Sequence, residues 1–123
     1  GVKQGVEYAL LTDEISKAWS GMSTRQYKKY KGLKKENLRD NMTTLELVLN
    51  MLAEATTTEI SKTAEPETFE ENKRVAKRGG QIAGNARKEI EKDTGKSVIS
   101  KRNALDFSKL IIDSIEEKNK DDE

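Results

Sequence analysis

Residues Ala76–Ser97 read AKRGGQIAGNARKEIEKDTGKS. Gly79 and Gly84 have the G-x-x-x-x-G spacing of a phosphate-binding loop, and Gly95-Lys96-Ser97 supplies its G-K-S ending. The two halves do not join. After Gly84 stand Asn85 and Ala86, where a lysine and a hydroxyl residue belong, and the first glycine required upstream of Gly95 is Ile90. No strand pattern precedes either half, and the motif needs its strand–loop–helix setting. Helical spacing accounts for more of the stretch. Val75, Gly79, Ile82, Ala83, Ala86 and Ile90 share one face of a helix near 69–93, with Gly95 placed to end it.

Ala76, Gly80 and Gly84 lie four apart, as do Gly79 and Ala83, so one side of that helix is nearly bare. A glycine costs a helix interior about 1 kcal/mol relative to alanine. Close approach of another helix backbone would offset that cost, whether the second helix belongs to this chain or to a second copy. Ala76, Gly79, Gly80, Ala83 and Gly84 are therefore a candidate helix-packing or dimer face. A kink at the glycines is the competing reading.

Outward from this helix, Thr63–Thr68 holds the only proline, Pro66, and reads as a linker or sharp turn. Before it, Thr43 and Glu46 form a capping box ahead of Leu45, Val48, Leu49, Leu52 and Ala53, a helical apolar face expected to end near Ile60. Three successive threonines, Thr56–Thr58, suggest a bend or fraying there. Further upstream, Ser23–Gln26 is a second capping box opening a short helix that stops near Gly32, and KKENLRD could add another short helical segment. Leu11, Ile15, Ala18, Trp19 and Met22 repeat at helical spacing, with Thr12 available as a cap and Gly21 past the end. Trp19 reads as a core anchor. After Gly95, KSVIS is briefly extended, Ser100 caps, and Ala104, Leu105, Leu110, Ile111 and Ile115 suggest a final helix before a fraying end at 119–123.

The expectation is thus an all-α, compact bundle of about four to six helices in a single domain of 123 residues. Residues 1–62 supply N-terminal helices, 63–68 the linker or turn, and 69–118 the long helix and a final one. With 37% charged, 33% apolar and 5% aromatic residues, the chain suits exposed helices better than a thick sandwich or barrel. The start at Gly1 points to a processed fragment or a domain cut from something longer.

Cysteine and histidine are both absent. Disulfides, zinc-thiolate clusters, imidazole ligands and Ser-His or Cys-His nucleophile systems are thereby excluded. No apolar run approaches a membrane span, and the expected setting is cytoplasmic. The carboxylates, among them Glu70-Glu71 and Asp121-Asp122-Glu123, sit in ordinary surface patterns without a partner set for acid–base or metal work. Neither catalysis nor a cofactor is expected.

Net charge is only +1, so attraction to polyanions must come from local clustering. Two basic clusters stand out. Arg25, Lys28, Lys29, Lys31, Lys34, Lys35 and Arg39 are interleaved with Tyr27 and Tyr30, and Lys73, Arg74, Lys77, Arg78, Arg87 and Lys88 lie on the glycine helix. Lys28, Lys29, Lys34, Lys35, Lys73, Arg74, Lys77, Arg78 and Arg87 are the candidate nucleic-acid or partner-binding residues. Tyrosines among lysines could stack on unpaired bases. The plainer reading is a solvated helical surface, with the tyrosines covering the core rim.

Beyond spacing, LLTDEISKAWSGMSTRQYKKYKGLKKENLRDNMTTLELVLNMLAEATTTEISK, followed by FEENKRVAKRGGQIAGNARKEIEKDTGKSVISKRNALDF, resembles the C-terminal region of DNA-damage-inducible protein D. It is equally similar to phage proteins that carry an N-terminal Bro-type domain and are described as antirepressors. The strings KGLKKENLRDNMT and AKRGGQIAGNARKEIE are long and idiosyncratic, and the similarity spans about Tyr8–Phe107. The resemblance implies a bacterial or prophage protein tied to the DNA-damage response, whose host member opposes the strand-exchange recombinase filament. The Bro-type domain, which would contribute DNA binding, is not within this chain. The expected function is a non-catalytic regulatory and interaction domain that self-associates as a homodimer, with a recombinase–DNA filament the first candidate partner. Direct binding of nucleic acid through basic helix faces is the alternative.

Overall fold

In the computed structural model the structure describes residues 2–103, together with 112 and 114–116. The chain is all-α. Four helices exceed one turn: α1 (Val2–Ser20), α2 (Thr24–Tyr30), α3 (Thr44–Ala64) and α4 (Phe69–Thr94). A single 3-10 turn, Arg39–Asn41, is all that forms from the KKENLRD region. Among the described residues there is no strand. Residues 112 and 114–116 are helical, and the rest of the expected final helix lies outside the described residues, as does the tail at 119–123.

Local chemistry sets the helix ends. Ser23 Oγ accepts from the Gln26 amide while the Gln26 side chain accepts from Ser23 N, and Thr43 and Glu46 repeat the arrangement at the start of α3. Both expected capping boxes are therefore formed. Gly95 ends α4 with φ 70° and donates its N–H to Glu91 O at 2.8 Å. Two boundaries differ from expectation. α1 begins at Val2, and Thr12 is no cap: its hydroxyl donates back to Tyr8 O inside the helix. α3 continues through the threonines to Ala64, past Ile60. Thr57 and Thr58 donate to the carbonyls of Ala53 and Glu54, so their hydroxyls are satisfied within the helix instead of competing with it.

α4 is the centre of the bundle. α3 returns antiparallel to it through the short turn at 65–68, and α1 lies along its other side, running parallel. That direction follows from the paired contacts: Gly80 sits against Ile15 and Ala18, Gly84 against Ala18 and Trp19. A Cβ on Gly84 would lie 2.7 Å from Ala18 O, and one on Gly79 would lie 2.8 Å from Thr57 Cα. The glycines on one side thus admit the backbone of α1, and Gly79 on the other admits α3. Ala76, Gly79, Gly80, Ala83 and Gly84 are all buried in this way. The candidate dimer face is consequently taken up within the chain, and a second copy cannot reach it without unpacking the bundle.

Trp19 and Tyr27, both fully buried, anchor the core with Leu49, Ala53, Ala83, Val98 and Ile99. The rings of Trp19 and Tyr27 meet at 6.0 Å with a 53° tilt. Three of the five apolar positions expected on that face of α3 are turned outward. Leu49 and Ala53 are buried, whereas Val48 is 53% exposed and Leu45 and Leu52 are also open to solvent. Burial of Glu46 at the first turn fixes this rotation: the buried row is Glu46, Leu49, Ala53.

A charged cluster is sealed into the end of the bundle. Lys31 and Glu46 side chains are both wholly inaccessible, with Lys31 Nζ 2.8 Å from Glu46 Oε1 and 2.6 Å from Arg102 O. Tyr27 donates its hydroxyl to Glu46 Oε2, and Thr43 N donates to Oε1. Burial, then the hydrogen bond and charge of Glu46, push the Tyr27 hydroxyl far above the ordinary phenol range, so it stays a donor. Asn103 Nδ2 donates to Lys31 O at 3.1 Å, which ties the segment after α4 to the end of α2. Lys31 belongs to the fold and not to the basic surface.

Candidate partner-binding groove and basic ridge

Because α4 separates α1 from α3, those two helices meet closely only near the Trp19 end, where Trp19 Nε1 donates to Asn50 Oδ1 at 3.2 Å. A groove of about 510 Å³ opens between them. That volume falls within the usual range of binding clefts, about 300–1,000 Å³. Tyr8, Leu11 and Ile15, at i, i+3 and i+7, line the α1 wall together with Thr12 and Ser16, and Asn50, Glu54, Thr57, Thr58 and Ser61 form the α3 wall. Asn72 and Ala76 make the floor, while Lys28, Leu38, Arg39 and Met42 close one end. The α1 wall mixes apolar side chains with two hydroxyl residues, and the α3 wall is polar, with hydroxyls, one amide and the Glu54 carboxylate. Tyr8 stands 75% exposed at the rim.

The other surface is the back of α4. At 100° per residue, Arg74, Arg78, Gln81 and Asn85 point away from Ala76 and hence away from the groove, with Lys77 and Lys88 beside them. All six are exposed. We call this row the ridge.

The sequence-derived cation set is divided by these facts. Arg74, Lys77 and Arg78 lie on the ridge. Lys28 is half-buried at the closed end of the groove, and Lys29, Lys34 and Lys35 are exposed around the end of α2. Lys73 is half-buried and turns toward α1, its Nζ 4.0 Å from Glu14. Arg87 is the clear correction. Its Nε donates to Trp19 O at 2.7 Å and its Nη1 to Glu91 at 2.7 Å, so it clamps the end of α1 and is not free for a ligand. Periodicity explains the correction: from Ala76, eleven residues amount to nearly three whole turns, which returns Arg87 to the packed side.

Stacking on bases also loses its residues. Tyr27 is buried, and Tyr30 carries Lys101 Nζ 5.5 Å above its ring. Sequence reasoning passed over the α3 wall and over Gln81 and Asn85, which the α4 wheel taken outward from Arg74 would have supplied.

No family model, curated protein or solved structure matches the chain. Among the described residues no group of three or more carboxylates could hold a metal, and no helix is long and apolar enough to cross a membrane.

Glu91 offers a pH test of the Arg87 clamp. Burial alone would raise its carboxyl, but hydrogen bonds from the Val98 amide and Arg87, with the charge of Arg87, together outweigh burial and hold it below the ordinary carboxylate range. The stability this supplies is complete above the unfolded-state pKa of about 4.3 and is lost as pH falls through the lowered folded-state value. Urea melts from pH 6 to pH 3 should therefore show a shallower acid loss in Glu91→Gln than in the parent. Equal slopes would remove Glu91 from the acid transition.

Proposed function

We propose that the chain is a non-catalytic interaction domain of a DNA-damage-inducible or prophage protein, acting through a protein partner. A recombinase–DNA filament is the partner named first. The observation that carries the reading is the groove between α1 and α3. It presents the helical row Tyr8, Leu11 and Ile15, with Tyr8 exposed and Ile15 seated on the core, opposite a polar wall. Grooves of this kind receive amphipathic helices, whose apolar row seats against one wall while the other hydrogen-bonds to its flank. Tyrosine is among the residue types enriched at the energetic anchors of interfaces. The buried ionisable groups support the same reading from the other side, because Lys31, Glu46 and Tyr27 are consumed by one another and open onto no cleft. The resemblance to DNA-damage-inducible protein D supplies the setting.

The test is retention of recombinase, free and assembled on DNA, by the immobilised domain. Parent protein should hold the filament, and Tyr8→Ala and Leu11→Glu should each weaken retention about tenfold or more, the scale of a lost interface anchor. Circular dichroism must show unchanged helicity for the comparison to count. No retention by the parent would remove this partner, and undiminished retention by both variants would remove the groove.

A further inference from the structure

We infer that the ridge of α4 is a binding surface for the phosphate backbone of duplex DNA, read without regard to sequence. The groove plays no part in this.

The first support is the charge pattern. From Asn72 to Lys88 α4 contains no acid, although acids are almost as numerous in the chain as bases, 22 against 23. Lys73 and Lys77 are four apart, as are Arg74 and Arg78, and Arg74 and Lys77 are three apart. Like charges at these spacings face each other on a helix and destabilise it. The acids that bound this run are Glu71, which accepts from Glu67 N, and Glu89, which directly follows Lys88. Lys77 and Arg78 have no acid at i±3 or i±4. Lys77 and Arg78 are thus an uncompensated cationic pair near the middle of the row.

The second support is shape. Fourteen residues separate Arg74 from Lys88, a rise of about 21 Å at 1.5 Å per residue. A DNA strand presents a phosphate about every 3.4 Å along the axis, so the row parallels about six of them. Gln81 and Asn85, between the cations, supply uncharged donors suited to phosphate oxygens. Because α1 and α3 pack closely against α4 at its glycines, the helix that carries the row is in place before contact.

The third support selects the nucleic acid. Single-strand binders add aromatic platforms on which bases stack. The ridge carries no aromatic residue. A surface that offers charge and amides alone gains most from the denser charge of a duplex.

The experiment is fluorescence anisotropy with the full chain, using two 20-base-pair duplexes of unrelated sequence and a 20-nucleotide single strand. Four cations, Arg74, Lys77, Arg78 and Lys88, predict a slope of log K against log salt of about −3.6 on duplex, from about 0.9 per phosphate. The two duplexes should bind within about twofold of each other. Lys77→Glu/Arg78→Glu, both exposed, should fold as the parent, lower affinity at least tenfold and flatten the slope by about 2. Lys62→Glu/Lys96→Glu, exposed and off the ridge, should change affinity less than threefold. The inference is overturned by absence of duplex binding at low salt, by unchanged binding of the ridge variant, by an equal loss in the control variant, or by single strand binding tenfold tighter than duplex.

Discussion

Lys31→Met should lose about 3–5 kcal/mol of folding free energy, the cost of breaking a buried ion pair from one side. Both charges are sealed from water, and the cation also serves Arg102 O. Methionine fills nearly the same volume, so the loss measures the stranded Glu46 carboxylate and not a cavity. Domains of this size have about 5–15 kcal/mol in all, and the variant should approach the threshold of unfolding. Its remedy is to remove the other charge. Lys31→Met/Glu46→Gln should recover most of the loss, because the amide removes the stranded charge while its carbonyl oxygen remains an acceptor for the donors Tyr27 and Thr43 N. Urea melts of the single and double variants beside the parent read both effects. A single variant within 1 kcal/mol of the parent would mean that water reaches Glu46 after all.

The second large effect lies in the glycines. Gly80→Ala should destabilise the domain by about 2–3 kcal/mol, the upper part of the range for overpacking a core. Its Cβ would lie 2.6 Å from Ala18 Cβ and 2.7 Å from Ile15 O, and neither can swing aside because one is rooted on the backbone and the other belongs to it. Alanine is the better helix former by about 1 kcal/mol, so intrinsic propensity predicts the opposite sign. Gly5→Ala provides the contrast. Nothing lies within 4 Å of a Cβ there, and that variant should gain up to about 1 kcal/mol. Thermal melts of the two side by side separate packing from propensity. If Gly80→Ala were also stabilising, the close crossing of α1 over α4 would be wrong.

The bare face of α4 was legible because it depends on period alone, and the capping boxes because each closes within four residues. What packs against that face was less legible, since glycine spacing is the same whether the neighbour is in the chain or in another copy. Lys31 shows the limit most clearly. In sequence it is one lysine in a run of them, yet its partners stand 15 and 71 residues away. Arg87 was misread for the same reason: its ligand is the carbonyl of Trp19, 68 residues earlier. The threonines of α3 mislead in a different way. Their weak helix propensity is real, but it is overridden where Thr57 seats against Gly79. Of the two candidate surfaces, the ridge is contained in one helix and is readable from a wheel. The groove exists only once three helices are placed.

The tie between Lys31 and Arg102 has a consequence for synthesis. An emerging chain that has released α1 to α3 already carries Lys31, Glu46 and Tyr27, but the carbonyl that completes the cluster is still to come. Trp19 likewise awaits Arg87. Contacts so distant in sequence form late, and the bundle cannot close around its charges until about residue 103 has cleared the ribosome. Until then the first three helices expose the groove wall and the future seat of α4 together, which makes this interval the one in which a holding chaperone has most to protect.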